Sequence, residues 1–406
     1  MSRFLFVVPP LAPHVHPASA VAAELAGRGH EVAWAGQPAA LEGLASADSP
    51  VFPCASVPPG DARPRDPRGA AGLRFLWGDF FAPLAYAMAP GVTAAVMEFG
   101  PDLLVVDQQA VAGALVAERL GVPYVTSSTV PTELPGSPIA GAVPQSDQWL
   151  TDLLDGLRLR LGDPSARYDP RFSPRLTLVF STSELTGPQV PDRGPVCFVG
   201  PVLGSRADAP DDGFPWGWVD RDDDRALVLV SLDPADPADP VVGAHFLAQC
   251  VDGVRARSRE LRAVVADPCG ILGSPCGDDV LIHPAVPRFE LLARADAIVC
   301  HAGHHSVTEA LWHGVPLVVA PVRGDQPVVA AQVVAVGAGV RVRFGRRDAK
   351  AVGSALEAVL GRPHFAAAAR RVSRSFREAG GAPTAAARLE ELVAAEQENP
   401  WQGLQI

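Results

Sequence analysis

The sequence predicts an α/β protein of two doubly wound domains, and three observations carry the prediction. Short apolar runs alternate with helical patterns along nearly all of the 406 residues. The alternation is broken once, by LGSRADAPDDGFPWGWVDRDDDR (Leu203–Arg225), whose Pro, Gly and Asp content marks a linker. Beyond it, CHAGHHSVTEALWHGVPLVVAPVRGDQ (Cys300–Gln326) reads as strand, small-residue turn, helix and strand, with glycine, histidine and serine at the helix N-terminus. Free N–H groups and the helix dipole favour a phosphate at such a turn.

Taken in order, Phe4–Val8 is a buried-strand run. It opens onto Pro9-Pro10-Leu11-Ala12-Pro13-His14-Val15-His16-Pro17, read as a long loop, before a helix over Ala18–Gly27 and a second strand over Glu31–Ala35. Ligands in such sheets bind at the C-terminal strand ends, which sets His14 and His16 at the mouth. No G-x-G-x-x-G follows the first strand, so a dinucleotide cofactor is not indicated. Ser49–Gly72 reads as loop, and Leu73–Val96 as a bulky helix. Its Trp77, Phe80 and Phe81 suit either the core or the wall of a pocket for a large apolar ligand. Asp107 ends the apolar strand that follows Pro101, as a helix cap or as a site residue. Tyr124-Val125 leads into the polar run Thr126-Ser127-Ser128-Thr129, Gly136–Ser173 is expected to cover the pocket, and strands at Leu176–Ser181 and Cys197–Pro201 close this half.

The second series places strands at Ala226–Leu232, Leu261–Ala266, Val280–His283, Ala297–Cys300, Val315–Ala320 and Gly339–Arg343, with helices between them and a last helix near 383–396. The expected division is a first domain over 1–204, a linker over 205–225, a second domain over 226–382 and a helix and tail over 383–406. Two such halves imply a ligand cleft between them.

Composition narrows the classes. A net charge of −11 and a pI near 5.4 argue against a nucleic-acid partner. The six cysteines are scattered without C-x-x-C spacing, so neither a metal site nor a disulfide framework is suggested. The apolar start is broken by Pro9-Pro10, and no apolar run reads as long enough to span a membrane, which points to a cytoplasmic protein. The sequence leaves a homodimer open.

At this point the residues resemble a known family, the bacterial natural-product glycosyltransferases of family 1 with the GT-B fold, most nearly the macrolide and zeaxanthin type. The resemblance covers nearly the whole chain. It rests on Pro9-Pro10 through His14-Val15-His16-Pro17 and Leu25–Val32, on PDLLVVDQQAVAGALVAERLGVPY (Pro101–Tyr124), on Phe198-Val199-Gly200-Pro201, and on the Cys300–Gln326 stretch, which is similar to H-x-G-x-N-S-x-x-E…G-V-P…D-Q. It implies two Rossmann-like domains facing a central cleft. The implied reaction is inverting transfer of a sugar from a UDP- or TDP-linked donor to a hydroxyl of a large lipophilic acceptor, such as a polyketide, macrolide or terpenoid, with no metal or other cofactor. His14 then matches the base that deprotonates the acceptor hydroxyl, a task that suits an imidazole, and Asp107 the carboxylate that orients it. His301, Gly303 and Ser306 match the diphosphate-binding positions, Glu309 the ribose-binding carboxylate, and Asp325 and Gln326 the pair that reads the donor sugar. His16, Trp77, Phe80, Phe81, Ser127 and Thr129 are the expected acceptor contacts.

The departures from the family pattern cluster on the donor side. Ser231-Leu232 is followed by Asp233-Pro234 where the family has glycine and a hydroxyl residue. Ala285 stands where an aromatic usually stacks on the base, Arg288 where glutamine is usual, and His305 where asparagine is usual. One reading is a shifted donor, with Arg288 and His305 adding positive charge. Another is a GT-B protein that acts without sugar transfer, as an auxiliary protein or as an acid/base catalyst on a bound aglycone. A third is a plain binding protein for a lipophilic metabolite.

Overall fold

The computed structural model describes residues 1–44, 49–55, 69–134, 144–187, 194–203, 213–232, 240–273, 277–344 and 349–398. The donor-loop residues Asp233–Asp239, the tail residue Trp401 and part of the Gly136–Ser173 segment lie outside them. The described residues fall into two compact units, one drawn from 1–204 and 376–406, the other from 205–375. Each unit is a parallel sheet flanked by helices, the architecture of the two Rossmann-like domains of a GT-B protein.

The first sheet contains β1 (Arg3–Val7), β2 (Glu31–Gly36), β3 (Val51–Pro53), β4 (Leu103–Asp107), β5 (Tyr124–Ser128), β6 (Thr177–Val179) and β7 (Val196–Phe198), in spatial order 3-2-1-4-5-6-7. The period-two alternation of strand side chains sorts its apolar residues onto two faces. Leu5, Val7, Leu104 and Val106 pack into one buried cluster, and Phe4, Phe6, Leu103 and Val105 into another. The second sheet contains β8 (Ala226–Ser231), β9 (Leu261–Ala266), β10 (Val280–His283), β11 (Ala297–Cys300), β12 (Leu317–Val319) and β13 (Gly339–Arg341), in order 10-9-8-11-12-13. In both sheets the order reverses beside the opening strand, between β1 and β4 and between β8 and β11. Such switch points leave a crevice beyond the strand ends.

Several expectations are corrected. The long first loop is mostly helix: α1 runs Ala12–Gly27, with Leu11 as its N-cap residue. Pro13 explains the early start, because proline's missing N–H costs nothing in a first turn whose N–H groups lack partners anyway. His14 and His16 therefore stand on a helix. The Ser49–Gly72 loop contributes the short strand β3.

The bulky helix extends further than expected. The helical stretch Gly72–Phe99 is long and apolar enough, by length and composition, to cross a membrane, contrary to the expectation that no run reaches that length. Half of its apolar window is buried within the first unit, as in a core helix. Of the two readings of these aromatics, core or pocket wall, Trp77 and Phe81 are core residues at 0% and 2% exposure, and Phe80 is partly buried against the same cluster.

Helix α2 (Ala112–Leu120) packs on the same face. Gly113 permits that approach, since a Cβ there would come within 2.8 Å of Val106. In the second unit, α3 (His304–Trp312) follows β11 and α4 (Gln326–Ala335) follows β12. The last helix, α5 (Gly381–Glu398), belongs to the first unit: Ala385, Ala386, Leu389 and Val393 join the cluster around Phe4 and Val15. Glu390 on α5 takes ion pairs from Arg28 at 2.7 Å and His30 at 2.9 Å.

Candidate active site

Topology alone brings His14 and Asp107 together. β1 and β4 are hydrogen-bonded neighbours with Val7 opposite Val106, so the residue ending β4 lies beside the turn that leaves β1. His14 sits in the first turn of α1, its N–H bonded to the Leu11 carbonyl at 2.9 Å. Both side chains are buried. His14 Nδ1 is 3.0 Å from Asp107 Oδ2 and 2.7 Å from Thr129 Oγ1, and the Thr129 hydroxyl donates to Asp107 Oδ2 at 2.9 Å. With that hydroxyl proton spent on the carboxylate, both oxygens near Nδ1 are acceptors. Nδ1 therefore carries the imidazole proton and Nε2 the lone pair. The Gln109 backbone N–H completes the setting by donating to Asp107 Oδ1 at 2.9 Å. This is the geometry of an oriented general base.

Thr129 thus braces the pair, in addition to the acceptor role expected of it. Ser127, opposite Asp107 in the β4–β5 register, is buried, and its hydroxyl has no hydrogen-bond partner among the described residues. His16, two residues further along α1, is partly buried.

Sequence reasoning missed a second layer. Gln109 Nε2 donates to Glu133 Oε1 at 2.7 Å, and Glu133 Oε2 pairs with Arg171 at 3.4 Å. Arg171 also bonds Asp169 through Nε at 3.0 Å and NH2 at 2.7 Å, and lies 5.4 Å from the centre of the Trp77 ring. The available signals were slight: paired glutamines after a strand-ending acid, and one acid following Pro131-Thr132.

The second switch point is built differently. Ser231 ends β8 opposite Cys300, and His301 leaves β11 into the turn. Ala302 has φ 67°, a left-handed backbone that an alanine adopts at a cost of about 1 kcal/mol or more. Gly303 follows, and a Cβ on it would come within 2.4 Å of His301 Nε2. Glycine is therefore what lets the His301 ring lie against the N-terminus of α3, whose first-turn N–H groups and dipole suit an anion. Ser306 is buried in that first turn.

Arg288 and His305, expected as extra charge for the donor, are both engaged with Glu309. Arg288 Nε is hydrogen-bonded to Glu309 Oε2, and His305 Nε2 lies 3.0 Å from Oε1. Burial pushes the Glu309 carboxyl up, but the His305 hydrogen bond and the Arg288 charge outweigh it and hold the carboxyl at about 2. Ala285 is exposed and offers no ring; the His283 ring nitrogen is held against its carbonyl instead, with Phe214 edge-on to His283 at 5.3 Å. Gln326 turns its Oε1 back to the Val322 and Arg323 N–H groups at 2.8 and 3.0 Å, and Asp325 precedes α4 without a side-chain cap bond. Among the described residues no group of three His, Cys, Asp or Glu side chains could hold a metal ion.

Comparison with known proteins agrees with this architecture. The family described as UDP-glucoronosyl and UDP-glucosyl transferase matches residues 273–385. The NDP-glycosyltransferase YjiC of Bacillus subtilis (strain 168) is 28% identical over 396 residues, 94% of this chain and 94% of that protein. The 4'-demethylrebeccamycin synthase of Lentzea aerocolonigenes is 28% identical over 414 residues, 92% of this chain and 96% of that protein. Among solved structures, the glycotransferase of kitacinnamycin superposes with a TM-score of 0.78 at 25% identity, over 96% of this chain and 98% of its own. The calicheamicin glycosyltransferase CalG4 shares the fold, with a TM-score of 0.72 at 23% identity, over 97% and 98%. Sequence similarity along most of the chain, the paired parallel sheets and the buried His14–Asp107 pair at the first switch point lead to one conclusion: this chain is a nucleotide-sugar-dependent glycosyltransferase of family 1 with the GT-B fold, related to bacterial enzymes that tailor natural products.

Proposed function

We propose that the protein is an inverting glycosyltransferase in which His14 deprotonates a hydroxyl of a large lipophilic natural product while the sugar leaves a nucleoside diphosphate. The observation that carries this reading is the buried His14–Asp107–Thr129 constellation, which sets the proton on Nδ1 and the lone pair on Nε2. Alcohols are poor nucleophiles, and a positioned imidazole raises their reactivity by about 10²- to 10⁴-fold. As the acceptor oxygen bonds to the anomeric carbon, the bond to the diphosphate breaks, the acceptor proton passes to His14 and the diphosphate carries off the electron pair. Asp107 stabilises the imidazolium that forms.

On the donor side we assign the leaving diphosphate to His301, Gly303 and Ser306, where a histidine and a helix N-terminus meet the developing charge without a metal. Glu309, Asp325 and Gln326 are assigned to the donor's hydroxyls, with Ser231, Ala285, Arg288 and His305 around them. The acceptor class is supported by the relatives' names, among them a rebeccamycin-type synthase and a zeaxanthin glucosyltransferase. Five free cysteines among the described residues support a reducing, cytoplasmic setting.

Intact-mass analysis of an aglycone panel, with and without a mixture of nucleotide sugars, tests the reading. Products heavier by one sugar, formed with the donor present and lost in His14→Ala, are expected. Turnover of an aglycone with no donor, or no heat of binding with UDP or TDP, would overturn it.

A further inference from the structure

Glu133 has no part in the reaction as written, yet it is held as carefully as Asp107. It lies on the short turn Pro131–Glu133, just past Thr129, with its side chain 14% exposed. Gln109 ties the two acids together: its backbone N–H holds Asp107 Oδ1 and its side-chain amide holds Glu133 Oε1. Arg171 completes the assembly, but its charge is already met by Asp169 through two of its nitrogens. Glu133 is thus a second acid beyond what the arginine needs. An extra carboxylate taken out of water is unfavourable unless a charge nearby answers it. Burial pushes the Glu133 carboxyl up, while Arg171, Gln109 and the charged form of His14 draw it down. An electrostatic coupling of that kind is mutual: what the imidazolium does for the carboxylate, the carboxylate does for the imidazolium.

We propose that Glu133 is a positioning residue that tunes the general base: held by Gln109 and Arg171, its negative charge stabilises the imidazolium His14 becomes on taking the acceptor's proton. Arg171 sets the upper limit of that effect. Among the described residues, Asp107 on β4 bonds His14 Nδ1 directly, and Glu133 after β5 is tied to Asp107 through Gln109. Arg171, ahead of β6, pairs with Glu133 and with Asp169 beside it; His16 is the other titratable group on the same turn of α1. Glu133 forms no bond to substrate; it acts through the field at His14 and through the turn that carries Gln109.

The inference rests on the proposed role of His14, so its test reads the imidazole directly. The His14 ring resonance is titrated by NMR in the full chain, assigned by its loss in His14→Ala. Glu133→Gln keeps an acceptor for Gln109 and removes the charge; it is expected to lower the His14 pKa by roughly half to one unit, the size of one partly screened charge. Glu133→Asp keeps the charge and is expected to restore most of the wild-type titration. Arg171→Gln is expected to move the pKa upward, and it decides the matter if Glu133→Gln does not fold. The acid limb of kcat/KM for transfer should move in the same directions. A Glu133→Gln titration that coincides with wild type or moves upward would overturn the inference, as would an unmoved or lowered pKa in Arg171→Gln. Absence of sugar transfer by the wild-type chain would instead sink the proposed function, leaving the titration to judge Glu133.

Discussion

The two switch points solve opposite electrostatic problems. Beyond β1 and β4 a histidine is held by a carboxylate and a hydroxyl, so the polar groups combine to define one basic nitrogen. Beyond β8 and β11 a carboxylate is held by the Arg288 guanidinium and the His305 ring, beside a helix N-terminus. The first arrangement is complete within its own unit. The second is built around Glu309, which engages both Arg288 and His305, the two residues expected from the sequence to add positive charge for the donor. The same topology therefore carries an oriented histidine in one unit and, in our proposal, an anion-binding turn in the other. Side chains, not strand order, decide which.

Removing the base should have the largest effect. His14→Ala is expected to lower kcat for transfer by about 10²- to 10⁴-fold, while calorimetry with the nucleoside diphosphate stays unchanged if, as we propose, the donor is held by the second unit. Equal loss of nucleotide binding would break the comparison. Asp107→Asn should follow, with kcat reduced by up to about 10⁴-fold through loss of the correct tautomer; initial rates at saturating donor check it.

On the donor side, Gly303→Ala places a methyl group where His301 Nε2 lies, so the ring must move. Nucleotide affinity should fall by about tenfold or more, roughly the worth of one hydrogen bond to a charged group, with the His14 titration unaltered. Arg288→Gln should weaken nucleotide binding less than His301→Ala does, since the arginine is engaged with Glu309; competition binding of UDP and TDP to the two variants orders them. A larger loss in Arg288→Gln would assign the arginine to the ligand instead.

The smallest effect concerns pH. Glu309's folded carboxyl lies below its unfolded value, so its contribution to stability is full above about 4.5 and is lost as pH falls toward about 2. Glu133 has the opposite sign: its raised carboxyl favours the folded state at low pH and loses that contribution as pH rises through the folded value. Urea unfolding at a series of acidic pH values should be less steeply pH-dependent in Glu309→Gln and more steeply so in Glu133→Gln.

Much of this was legible in the sequence because parallel strands buried on both faces must be continuous apolar runs, and Phe4–Val8, Leu103–Asp107 and Ala297–Cys300 are such runs. The residues at their ends could be picked out for the same reason: a polar residue that closes a buried strand is conspicuous. The helical start at Ala12 was hidden because Pro9, Pro10, Pro13 and Pro17 read as loop, although proline is at home in a helix's first turn. The aromatic run at Trp77–Phe81 could not be divided between core and pocket by pattern, since both need the same residues.

By itself the sequence determined two α/β units and the positions of Asp107, His301 and Gly303 at or just past strand ends, because local periodicity and composition suffice for those; it placed His14 after the first strand but not on a helix. Only the tertiary structure decided what each polar residue is spent on. That Thr129 braces the dyad, that Gln109 links Asp107 to Glu133, and that Arg288 and His305 converge on Glu309 depend on side chains from separate strands and turns meeting within about 3 Å, the reach of a hydrogen bond. No one-dimensional pattern encodes such meetings.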